Sequence, residues 1–77
     1  MDETITQIEA WYDRYSQNWA VQRKNAKGYQ IGSSDYSGHK DDCAAHFVCA
    51  CKDHPDAERI FPKSLRAAIN ARFEKQG

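Results

Sequence analysis

The chain carries no excess of charge, since its eleven lysines and arginines are matched by eleven aspartates and glutamates. Proteins that bind polyphosphate are usually strongly basic, so this balance removes the electrostatic footprint of a nucleic-acid binder. The sequence also lacks a long apolar run. Nothing approaches the roughly 20 residues needed to span a bilayer, so no membrane partner is expected. No secretory leader is legible: Met1-Asp2-Glu3 is acidic where a leader is basic and then apolar. There are only three cysteines, and three cannot all pair within one chain. An odd count with no leader favours a reducing compartment, and the expected location is the cytoplasm. Glycine is sparse, and Gly28, Gly32 and Gly38 are too scattered to cradle a phosphate.

What remains is a chain of 77 residues, short enough that a second hydrophobic core would not fit. One compact domain over 1–77 is expected. A domain of this size buries only roughly 60–65% of the surface its unfolded chain exposes, so its margin of stability is thin. Such domains often add a staple, whether a metal, a disulfide or a partner subunit. Apolar residues at 40% and aromatics at 12% supply a core and exclude general disorder.

Periodicity suggests the following elements. Over 4–19, Ile5, Ile8, Trp11 or Tyr12, Tyr15 and Trp19 recur at steps of three and four, which predicts an amphipathic helix. Thr4 and Gln7 would form its capping box, and Glu3 and Glu9 would suit its positive end. Trp19, Val21, Tyr29 and Ile31 flank Asn25-Ala26-Lys27-Gly28, which reads as a short β-hairpin. Residues 32–38 read as a polar loop around Tyr36. Over 40–53, Cys43, Ala44, Phe47, Val48 and Cys51 share one helical face, although alternation would also permit a strand; the alanines and flanking charges favour the helix. His54-Pro55 ends it. A last helix starts near Pro62, with Leu65, Ala68, Ile69 and Phe73 as its stripe, Phe61 as a staple and a frayed end from Glu74. The expected class is α+β, with two or three helices and a short hairpin; the alternative is an all-α three-helix bundle.

All three histidines and all three cysteines fall between His39 and His54, spaced His39-x3-Cys43-x2-His46-x2-Cys49-x-Cys51-x2-His54. Thiolate and imidazole are the ligands zinc prefers, so zinc is the one cofactor the sequence suggests. On a helix, His39, Cys43 and His46 would share a face, while Cys49, Cys51 and His54 could converge at its end. Against this, structural zinc sites bring two distant pairs together, and no distant pair exists here. The plainer reading puts the cysteines in the core and the histidines in solvent, leaving no cofactor. A catalytic or redox-sensing cysteine, activated by His46 beside Cys43 or Cys49, ranks last, because no orienting group or oxyanion element accompanies it.

Charge is unevenly placed. Residues 1–13 hold Asp2, Glu3, Glu9 and Asp13 with no base, and residues 59–77 hold Arg59, Lys63, Arg66, Arg72 and Lys75 against Glu74 alone. The two ends could attract within the fold, or the last helix could offer a basic face to an acidic partner. Trp11, Tyr15 and Trp19, at i, i+4 and i+8, would form one aromatic stripe on a first helix. With Arg23, Lys24, Tyr29 and Tyr36 these are the candidate partner-binding residues, of the types that dominate binding hot spots. The favoured function is therefore a small protein-binding module, an inhibitor or adaptor of the kind common among phage and mobile-element proteins, and not an enzyme. Pairing of two copies through the shared stripe would make it a homo-oligomer. The alternative is a zinc-stabilised nucleic-acid binder that uses the 39–54 cluster and the basic, aromatic stretch 23–29.

Overall fold

The computed structural model describes residues 4–76. The acids Asp2 and Glu3 lie outside the described residues. In chain order the elements are β1 (Gln7–Asp13), β2 (Asn18–Lys24), β3 (Asp35–Ser37), α1 (Lys40–Asp53), β4 (Glu58–Ile60), a 3-10 turn (Lys63–Leu65) and α2 (Arg66–Gln76). The strands form one mixed sheet in the order β3-β2-β1-β4, with β1 antiparallel to β2, β2 antiparallel to β3 and β1 parallel to β4. The class is α+β, as expected, and the all-α alternative is excluded.

The predicted helix over 4–19 is a β-hairpin. Trp11, Tyr15 and Trp19 are spaced in even numbers, so the steps that fit one helical face fit a strand equally well. In β1 the residues Ile8, Ala10 and Tyr12 alternate with Gln7, Glu9, Trp11 and Asp13, a period of two. Ile, Trp, Tyr and Val favour a pleated surface. The reversal is local chemistry as well. The Asp13 carboxylate accepts hydrogen bonds from the Tyr15 N–H and the Ser16 hydroxyl, both at 3.0 Å. Gln17 then adopts φ 56°, the left-handed conformation needed to turn the chain back. Gln7 opens a strand here and has no part in a capping box.

The turn expected at Asn25–Gly28 is present but is not the main hairpin. Asn25 is buried, and its side-chain oxygen accepts from the Lys27 and Tyr29 N–H groups at 3.0 Å; Gly28 supplies φ 85°. Beyond it the return segment is held by a 2.9 Å bond from the Asn25 N–H to the Tyr29 carbonyl, a bridge between Lys24 and Gln30, and a 2.7 Å bond from the Ile31 N–H to the Arg23 carbonyl. The expected loop 32–38 contains β3, which pairs at Val21↔Asp35, Ala20↔Tyr36 and Trp19↔Ser37. Strand β4, between His54-Pro55 and Pro62, is too short for any periodicity to reveal.

Residues 40–53 form the helix that the alanines and flanking charges favoured. Its buried stripe of Cys43, Ala44, Phe47, Val48 and Cys51 lies against Ile8, Ala10 and Val21 of the sheet. Leu65 and Ile69 join this cluster from the last helical segment, with Ala68 and Phe73 packed beside them. Phe61, expected as a staple at the entry of the last helix, stands edge-on to Phe47 of α1 at 5.5 Å between ring centroids. The last helix does not fray at Glu74 but runs to Gln76. Helix α1 thus covers one face of the sheet with α2 packed beside it, and the molecule is a slab of 34 × 33 × 18 Å.

Phe47 is fully buried at the junction of sheet and helices. Phe47→Ala is expected to cost about 3–5 kcal/mol in a urea melt, a large part of what a domain this small can hold. Tyr15→Ala, at the exposed turn, should leave the melt unchanged within about 0.5 kcal/mol.

Candidate docking face of the sheet

Strand register decides what each face presents. Ile8, Ala10 and Tyr12 pair with Arg23, Val21 and Trp19, and these six side chains lie toward the helices. The intervening residues lie on the opposite face, which no helix among the described residues covers. There, Trp11 pairs with Ala20, and Ala20 pairs with Tyr36, in one row across β1, β2 and β3. Ala20 is fully buried yet stands outside the core cluster, because the two large residues beside it in the row shield its methyl from water. Tyr36 keeps 53% of its surface exposed. The next row holds Gln22, Glu9 and Ile60, and the row after it Lys24, Gln7 and Glu58.

This face is organised by charge as well as by rings. The Glu9 carboxylate accepts from the Lys24 ammonium at 2.6 Å and from the Gln22 amide at 3.0 Å. The bond from Lys24 holds the Glu9 carboxyl below its ordinary range, helped by Gln22 and opposed by partial burial. Among the described, paired residues of this face, Glu9, Asp13 and Glu58 are set against Lys24, so these strands make it mildly acidic.

The candidate partner-binding residues therefore separate. Trp11, Lys24 and Tyr36 share the open face. Trp19 faces the helices instead, edge-on to Tyr12 at 5.1 Å and with the Lys40 ammonium 5.8 Å from its ring centre. Arg23 also lies on that side, paired with Asp35 at 3.3 Å. Tyr15 and Tyr29 are exposed in turns at opposite ends of β2. The single stripe of Trp11, Tyr15 and Trp19 does not exist, because strand alternation puts Trp11 and Trp19 on opposite faces. Arg23 and Lys24, adjacent in sequence, are divided in the same way, so no joint basic patch forms. Sequence reasoning missed Ala20, Gln22, Glu9 and Ile60; alternation along 7–13 was the signal for Glu9.

The cysteines and histidines of 39–54 are likewise dispersed by α1. Cys43 and Cys51 are buried in the core, while Cys49 is exposed. His39 caps the start of α1 with extended backbone, His46 is half-buried, and His54 closes the helix end. Among the described residues, no three or more His, Cys, Asp or Glu side chains gather so as to hold a metal ion. Burial pushes the Cys43 thiol up to about 11 and also raises that of Cys51, where Arg59 partly offsets it. On the helix layer, Lys63, Arg66 and Lys75 are exposed, whereas the Arg59 guanidinium lies 4.5 Å from the centre of the Phe73 ring. No helix among the described residues is long and apolar enough to cross a membrane.

Two measurements follow from these environments. Iodoacetamide at pH 8 should label Cys49 rapidly and leave Cys43 and Cys51 unmodified until the protein unfolds, as read by mass spectrometry. A thiol raised from 9.0 to about 11 stays protonated in the fold while the unfolded chain ionises, so stability should fall as pH rises from about 9 to 11. Cys43→Ala should flatten that slope, read as urea midpoint against pH.

Comparison of the chain with family models, with curated proteins and with solved structures gave no match.

Proposed function

We propose that this chain is a small protein-binding module, of the inhibitor or adaptor kind, that docks its partner on the open face of the sheet. The observation that carries the reading is the row Trp11–Ala20–Tyr36. Two large aromatics on rigid strands flank a methyl, on a face that no helix among the described residues covers. Rigid Trp and Tyr side chains give large contact area at low entropic cost, and such residues dominate interface energetics. On one side of them Gln22 and the paired Glu9–Lys24 present fixed hydrogen-bonding groups, the polar surroundings usual beside an apolar centre.

Charge favours a protein over a nucleic acid as the partner. Stacking surfaces for single strands set their rings in a basic groove. Here the face carries more carboxylates than ammonium groups, and its one lysine is paired with Glu9. The exposed Lys63, Arg66 and Lys75 lie on the helix layer, away from the rings. A partner of the open face need not touch them.

Trp11→Ala and Tyr36→Ala should each weaken partner binding by at least about tenfold, or 1.4 kcal/mol, in calorimetry with the purified partner. Both should keep a melting temperature within a few degrees of the parent. Trp19→Ala should instead lower the melting temperature, because that ring packs against the core. Unchanged affinity in both Trp11→Ala and Tyr36→Ala would overturn the reading. A steep fall in affinity for a single-stranded oligonucleotide with added salt would favour the nucleic-acid alternative.

A further inference from the structure

The sheet has an unfinished edge beside the same aromatic row. Strand β1 has seven residues, and β2 pairs with all of them, Gln7 through Asp13. On the other side β4 pairs only with Gln7, Ile8 and Glu9. After Ile60 the chain turns away through Phe61, which packs against the core, and Pro62, which has no N–H to extend a ladder. Among the described residues no strand lies on that side of the stretch from Ala10 to Asp13.

Alternation identifies the atoms left at that edge. The Glu58 N–H donates to the Thr6 carbonyl at 2.8 Å, so even-numbered residues of β1 turn their backbone groups toward β4. The same alternation turns the Ala10 carbonyl and both the N–H and carbonyl of Tyr12 toward the unfilled edge. Tyr12 is 44% exposed. Such an edge is a template for another extended chain, and natural folds blunt edges with lysine, proline, bulges or a covering element. Ala10-Trp11-Tyr12-Asp13 has no lysine and no proline.

We infer that the partner inserts an extended polypeptide segment that adds to the sheet beside β1 at Ala10–Asp13. The inference rests on the docking-face reading and deepens it, because the added strand would continue the open face past Trp11. A polypeptide in extended conformation repeats a donor and an acceptor at the strand spacing of the Ala10 carbonyl and the Tyr12 main chain, the mode by which sheet edges take peptides. The side chains define its sequence class. Trp11 and Tyr12 are neighbours on opposite faces, so two consecutive β-branched or aromatic residues of the segment would lie against them. The Asp13 carboxylate, held in the turn by Tyr15 and Ser16, favours a lysine or arginine beside it.

The test uses a soluble peptide of repeated Val-Thr-Lys units, its Val-Thr-Glu counterpart, and a Val-Thr-Lys version methylated on alternate backbone nitrogens. Amide exchange of the full chain is followed by NMR. The Val-Thr-Lys peptide should bind and slow exchange at the Tyr12 amide by at least about tenfold. The methylated peptide should not, and the acidic one should bind at least about tenfold more weakly. Equal binding of the methylated peptide, or protection confined to other residues, would overturn the inference, as would no binding by any peptide. If Trp11→Ala and Tyr36→Ala still abolish binding of the natural partner while the Tyr12 amide stays unprotected in that complex, the edge inference fails alone. If those substitutions leave partner binding unchanged, the docking-face reading fails with it.

Discussion

The burial of the Cys43–Phe47–Cys51 stripe of α1 against Ile8, Ala10 and Val21 is the contact on which the rest of the molecule depends. Helix α1 packs on β1, β2 and β3 and also meets α2, so it ties the sheet to the C-terminal segment. Apolar area removed from water at this junction supplies most of the stabilisation in a domain this small. The stripe consists of small and medium side chains around one large ring, which lets helix and sheet approach closely. It also explains two of the three cysteines. The Cys43 and Cys51 thiols fill core positions, where burial favours the neutral form.

The same packing determines what is left exposed. The helices form one layer, and a sheet has two faces. With the hydrophobic set of β1 and β2 committed to the helices, the alternating set is turned outward as a group. That group holds Trp11, Tyr36 and Ile60 among Gln7, Gln22, Glu9 and Lys24. The Glu9–Lys24–Gln22 contacts fix the polar members in place, so the aromatic row is framed by ordered hydrogen-bonding groups. The limited reach of β4 leaves half of β1 without a second neighbour. The open face and the unfilled edge therefore share one origin, the use of a single helical layer and very short outer strands.

The helical half of this architecture was legible in the sequence, and the strands largely were not. Helix α1 and the Leu65–Ile69–Phe73 stripe both fit a 3.6-residue period, and in α1 the alanines and flanking charges decided between the helix and the strand that alternation also permitted. The N-terminal hairpin was hidden because Trp11, Tyr15 and Trp19 sit four apart, a spacing common to both periods. Its turn carries none of the Asn-Gly or Asp-Gly chemistry that marks hairpins; Asp13 and a left-handed Gln17 make it instead. The three-residue strands β3 and β4 exist through tertiary pairing alone. For the candidate site, aromatic residue types singled out Trp11 and Tyr36, but only the register shows that they share a face and that Trp19 does not. The Cys/His clustering reflected a helix that places these side chains in different directions.

The central claim is that the partner lies on the open face and not on the helix layer. Site-specific photo-crosslinking tests it most directly, with a photoreactive aromatic side chain placed in turn at position 11, position 36 and position 66. Positions 11 and 36 lie on the open face, and Arg66 is exposed on the helix layer. The account predicts that positions 11 and 36 capture the same protein and that position 66 captures none. Capture from position 66 alone would contradict it and move the binding surface to the basic last helix.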